Sequence, residues 1–207
     1  MIKISEILYK IMMWVIYGLY LLLIASFLTR NTIPWGYFAP KMGIVAIVLL
    51  WIVVLPGIFK RFRVKGLLQK VQIILMKSRR RIGVSMFLCA LIHYSWMKLF
   101  IYIDYGLPKL SDIPVFELFG LTALLLLLPL FITSNNYSVR LLKSNWDRVH
   151  LLIYGAMWFA AFHTSFNDTR RMIFFGIPTI AMALLQTSSR IYDWNNKKKL
   201  LSAISNE

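Results

Sequence analysis

Carboxylates are scarce in this chain. Eight Asp and Glu stand against 24 Lys and Arg in 207 residues, for a formal net charge of +16. There are three histidines and one cysteine, Cys89. Each shortage excludes something. A single cysteine forms no internal disulfide and no thiolate cluster, so it says nothing about redox compartment. Histidines expected to stand without Asp, Glu or Cys nearby in the spans fit poorly with zinc or a di-iron site. No Gly-rich dinucleotide or phosphate-binding motif appears, and the connecting loops are too short for a soluble catalytic domain.

What the chain has instead is apolar length. Hydrophobic residues make up 59% of it, against about 45–50% in soluble domains. Six stretches are long enough to span a bilayer, which takes ~20 apolar residues: Leu8–Leu28, Met42–Phe59, Ile82–Tyr102, Ile113–Ile132, Val149–Phe166 and Met172–Ser188. The first is too long for the apolar core of a signal peptide, and no small-residue cleavage site follows it. The expectation is one all-α domain over residues 1–207, a polytopic six-helix transmembrane bundle. From about residue 190 it ends in a short basic tail with little structure of its own.

The positive charge sorts by side. Two basic residues, Lys3 and Lys10, stand at the N-terminus, nine lie between the second and third spans, three between the fourth and fifth, and four after the sixth. Only Arg30, Lys41, Lys98, Lys109, Arg170 and Arg171 fall on the other side. Basic residues mark cytoplasmic loops, so both termini are expected in the cytoplasm, as an even number of spans requires. The excess charge then reads as orientation and contact with anionic lipid headgroups, not as nucleic-acid binding.

Ionisable groups inside a membrane are costly and mark functional sites. His93 lies about eleven residues into the third span, ~16 Å deep, and His163 about fourteen into the fifth, ~21 Å from the inner surface. They reach similar depth in the outer half of the membrane, while His150 lies near the inner end of its helix. Two imidazoles from different helices suit the two axial faces of a haem iron. A satisfied interhelical hydrogen bond is the plain alternative for any one of them.

The segment "FITSNNYSVRLLKSNWDRVHLLIYGAMWFAAFH" (Phe131–His163) closely resembles the ferric reductase-like transmembrane family. The matching residues are Thr133-Ser134, Arg140-Leu141, Trp146, His150, Tyr154 and His163. "RRRIGVSMFLCALIHY" (Arg79–Tyr94) resembles the family's third span, and Gly43 and Pro56 match its second more loosely. No histidine stands in the first span, where several members carry one. The resemblance is strongest to haem-binding membrane subunits of periplasmic methionine sulfoxide reductase systems. It implies a bacterial inner-membrane protein with one or two haems b, and electrons passing outward across the bilayer. Their source would be a cytoplasmic flavin reductase or a quinol, with FMN or a quinone as a further cofactor. Their destination would be a periplasmic molybdenum-dependent reductase subunit.

Larger relatives hold two stacked haems with two histidines on each of the third and fifth spans. Here the third span keeps only His93, and Arg79 stands fourteen residues earlier on the same helix face. Arginine stays protonated and is a poor ligand, but it suits haem propionates. His93 and His163 are therefore expected to ligate one outer haem. His150 is expected to hold an inner one, with Arg79, water or nothing opposite. His150 and His163 lie ~20 Å and about 140° apart in an ideal helix, so they face different porphyrins unless the helix bends.

Other residues read more plainly. Trp35, Tyr37, Trp96, Tyr102 and Trp146 suit interfacial belts. Tyr94 and Ser95 are packing residues or propionate donors. Asp104, Asp112 and Asp168 are expected at solvated loop ends. Arg170 and Arg171 either pair with outer propionates or dock a partner. Two other functions compete: a stand-alone transmembrane haem reductase for ferric iron or another outer acceptor, and a non-haem transporter or membrane scaffold.

Overall fold

Long apolar runs satisfy their own backbone groups only as helices when they sit in lipid. The described part of the chain is built from helices and turns, with no strand. The computed structural model describes residues 2–29 and 35–204. Arg30 therefore lies outside the described residues, as does the side chain of Trp35.

Helix α1 (Ile2–Leu28) packs chiefly on α3. Helix α2 (Trp35–Arg61) turns through Arg63 and Gly66, both at positive φ, into α3 (Leu67–Tyr94). One π-turn, Ser95–Leu99, carries α3 into α4 (Phe100–Tyr105), which stops at Gly106 with φ 87°. Helix α5 (Val115–Ile132) is followed by the short α6 (Asn136–Leu142), α7 (Ser144–Val149), α8 (Leu152–Ser165) and α9 (Thr169–Arg171). A second π-turn, Met172–Gly176, leads into α10 (Ile177–Ile204).

Five helical segments are long and apolar enough to cross a membrane: Tyr9–Leu28, Tyr37–Arg61, Leu67–Tyr105, Val115–Ile132 and Thr169–Lys198. The chain is thus an all-α, multi-pass membrane protein, but three expectations need correction. The fifth stretch, expected as a full span, is broken. His150 and Leu151 form a tight turn between α7 and α8, leaving α8 with 14 residues. The cause is local, because the backbone N–H of His150 and its Nδ1 both meet the Trp146 carbonyl, at 3.1 and 3.0 Å. Leu151 then donates to Arg148 three residues back, and side-chain competition of this kind interrupts a helix ladder.

The second correction is at α3, which begins at Leu67 and not near Ile82, so Lys70 and Lys77–Arg81 are helical. The third is at the basic tail, which continues α10 as helix to Ile204.

The short α8 is nonetheless at the centre of the bundle. It packs between α5 and α10, and Ala156, Met157 and Ala161 are fully buried. Small residues allow such close approach where lipid supplies no hydrophobic driving force. Around them Leu50, Val54, Met86, Phe87, Leu127 and Ile153 complete the core.

Candidate functional site

Two histidines far apart in the chain meet within the bundle. The imidazole rings of His93 (α3) and His163 (α8) stand 6.3 Å apart between centroids, with their planes 68° apart. Each ring is held from behind. Nδ1 of His93 lies 2.9 Å from the Ala39 carbonyl of α2, and Nδ1 of His163 lies 2.7 Å from the Phe116 carbonyl of α5. A carbonyl makes Nδ1 the protonated nitrogen and leaves Nε2 as the free base. This is the arrangement that orients histidine ligands in metal sites.

Glycine makes room for both rings. A Cβ at Gly43 would come within 3.0 Å of the His93 ring, and one at Gly120 within 2.7 Å of His163. The fit of a haem iron can be tested against this spacing. Two metal–imidazole bonds of about 2.0–2.1 Å, the length known for zinc, plus the offset of each nitrogen from its ring centre, require roughly 6 Å between centroids. The donor set of two neutral nitrogens from separate helices and the observed 6.3 Å both suit a group with two open axial positions.

The rings open onto a cavity of about 250 Å³ among α2, α3, α5 and α8. Its lining changes character at the histidines. On the side toward Arg61 and Arg79 it is apolar, with Ile47, Leu50, Met86, Leu124, Leu127 and Ala160. On the opposite side come Tyr94, Lys98, Tyr102, Glu117, Asn167 and Arg171.

The π-turn is what turns Lys98 inward. An α-helix advances about 100° per residue, which would set Lys98 about 140° away from His93. The wider turn advances less per residue, so Lys98 and Tyr102 return to the cavity face. Turns of this type recur at functional sites.

Glu117 departs from the expectation that no carboxylate accompanies the histidines. Its side chain is 10% exposed, ion-paired with Lys98, and accepts a hydrogen bond from the Tyr102 hydroxyl at 3.3 Å. Its position in the fourth apolar stretch was the available signal. Even so, no group of three or more His, Cys, Asp or Glu able to hold a metal occurs among the described residues.

The remaining candidates divide. His150 is not brought to the other two histidines. It stacks on Trp146 at 3.8 Å near the end that carries Arg79, whose charge reaches it. Arg61 and Arg190 lie over the ring of Tyr154 at 5.7 and 5.3 Å at that same end.

Trp146 also donates to the Thr133 carbonyl at 3.0 Å, so it is a packing residue as well as an aromatic near a helix end. Tyr102 likewise belongs to the cavity and not only to an interfacial belt. Tyr94 lines the cavity, whereas Ser95 is fully buried and its hydroxyl has no partner among the described residues. Arg171 lines the cavity and pairs with Asp168 at 3.2 Å, both half exposed. Asp168 also caps α9 by accepting from the Arg171 N–H at 2.9 Å. Cys89 is buried and free.

Comparison with known proteins matches residues 42–161 to the model of the family described as "Ferric reductase like transmembrane component". Curated relatives from Brucella ovis, Brucella canis and Brucella suis, each named protein-methionine-sulfoxide reductase heme-binding subunit MsrQ, are 37% identical over 96 residues. The match covers 44% of this chain and 42% of each relative, so the chain spans less than half the length of the curated relatives it matches. No solved structure matches it.

Proposed function

This chain belongs to the ferric reductase-like transmembrane component family, and from that premise we propose that it holds haem b on His93 and His163 and conducts electrons across the membrane. The observation that carries the reading is the facing pair of imidazoles, 6.3 Å apart and each fixed through Nδ1 by a backbone carbonyl. The relatives named as heme-binding subunits support it. When bound, haem supplies a one-electron carrier that the protein's own side chains lack. The histidines orient it, the apolar lining excludes water, and the rigid backbone carbonyls keep both Nε2 atoms basic.

Direction follows charge. The end of the bundle that carries Arg61, Arg79 and Arg190 is the cytoplasmic one in this reading. The short α8 still returns the chain from that end to the level of His93, so α1 starts and α10 finishes on the cytoplasmic side. Electrons enter at that end from a flavin reductase or a quinol, with FMN or a quinone as an accessory carrier. They leave past His93 and His163 toward a periplasmic acceptor. The relatives' names make a methionine sulfoxide reductase catalytic subunit the acceptor of choice, and the molybdenum-dependent type is the one we propose. His150 and Arg79 extend the path inward. The Nδ1 of His150 is occupied by the Trp146 carbonyl, which leaves Nε2 for a second haem, and Arg79 is the partner for its propionates.

Substituting the histidines tests this. His93→Ala and His163→Ala should each remove the same low-spin haem signal from purified protein. His150→Ala should leave that signal and affect only a separate population. Purified wild-type protein without a Soret band, oxidised or reduced, would refute the haem reading outright. Loss of one shared signal in His150→Ala and His163→Ala, with His93→Ala intact, would refute the pairing.

A further inference from the structure

The two-sided lining of the cavity carries a further inference, one that rests on the haem reading above. By the direction of each helix, every polar side chain of the lining lies on one side of the histidines. Lys98 and Tyr102 follow His93 on α3 and α4, Glu117 precedes Gly120 on α5, and Asn167 and Arg171 follow His163. A flat ligand between the imidazoles therefore has one edge among aliphatic side chains and the opposite edge between two cations, Lys98 and Arg171.

The cations are not equivalent. Arg171 is half exposed and shares Asp168. Lys98 is less exposed, at 32%, and is tied to a nearly buried carboxylate that a tyrosine hydroxyl also holds. A buried carboxylate beside a lysine is costly unless its remaining lone pairs are satisfied. Glu117 has both partners, so it fixes where the ammonium group points. An ammonium carries three donors, and the ion pair leaves the others for a second anion.

We propose that Lys98 and Arg171 form a seat for the carboxylates of the group held between His93 and His163, with Glu117 and Tyr102 as positioning residues for Lys98. The seat makes the cavity selective for a planar ligand whose carboxylates lie along one edge, and it sets that edge toward the outer face.

The test compares haem b with its dimethyl ester, which has the same ring and iron but no carboxylate charge. Both are titrated into apoprotein in nanodiscs and followed by the Soret band and the low-spin signal. Wild-type protein should hold haem b about tenfold or more tightly than the ester, the scale of lost charge-assisted hydrogen bonds. Lys98→Met and Arg171→Gln should each narrow that preference several-fold while ester affinity stays at the wild-type level, which also shows that the variants are folded. Lys98→Arg should restore most of the preference. Glu117→Gln should lower haem b affinity without changing that of the ester.

Equal wild-type affinity for the two compounds would overturn the proposal with no variant needed. So would variants that weaken both ligands alike. If wild-type protein takes up neither compound, the haem reading itself fails, an outcome distinct from loss of the preference alone.

Discussion

The candidate site depends on what stands behind each imidazole. Gly43 and Gly120 contribute no side chain, and that is their role, because each lies where a methyl group would press on a histidine ring. The tighter approach is at Gly120, 2.7 Å from His163 Nδ1 against 3.0 Å at His93. Ring and backbone cannot both stay in place there, and His163 would lose its bond to the Phe116 carbonyl. Gly120→Ala is therefore expected to lower the haem retained on purification several-fold, and Gly43→Ala to lower it less. The haem-to-protein ratio of the two variants checks the order, and a reversed order would show that the His163 cradle is not the tighter one. The histidines were legible in the sequence because an ionisable residue in an apolar run is conspicuous. The glycines were not, since nothing in a sequence says which ring approaches a glycine. Glu117 stands out in the sequence as a carboxylate in an apolar stretch, but its meaning depends on Lys98 lying opposite.

At the scale of elements, α8 and the two π-turns decide the architecture. A 14-residue helix is too short to cross a bilayer unaided, and α8 is positioned by α5 and α10 packing closely on its alanines. Enlarging Ala156, which is 0% exposed, should cost about 1–3 kcal/mol by overpacking. Ala156→Leu is thus expected to lower the thermal unfolding midpoint in detergent. Leu125→Ala, on a side chain 57% exposed toward lipid, should change it little. Equal effects would mean that α8 is not held by close packing. The apolar run from Val149 to Phe166 gave no hint of the break at His150, because hydropathy reads composition. The competition for the Trp146 carbonyl is a matter of hydrogen-bond geometry.

For the whole molecule, the two polar levels match a membrane. From Arg79 to Lys98 along one helix is roughly 29 Å, close to the hydrocarbon thickness of about 30 Å. The basic end and the Lys98–Glu117 pair then lie at opposite surfaces, with the paired histidines just inside the second. The orientation proposed above, with the basic end in the cytoplasm, is tested at Val64, in the turn between α2 and α3. In a Val64→Cys variant, a membrane-impermeant maleimide should label inverted vesicles and not intact cells, while buried Cys89 stays silent. Efficient labelling of intact cells would reverse the topology and the direction of electron flow.

The sequence by itself determined that the chain is helical and crosses a membrane several times, because twenty apolar residues in a row are a local property with one stable solution in lipid. It also determined the asymmetry of charge and the presence of three candidate ligands. Only the tertiary structure decided which backbone carbonyls hold the paired histidines, how long α8 is, and that the cavity has an apolar side and a charged side. Those features depend on pairs such as Ala39 with His93 and Phe116 with His163. The partners in each pair are dozens of residues apart, and helix packing alone brings them within hydrogen-bonding distance.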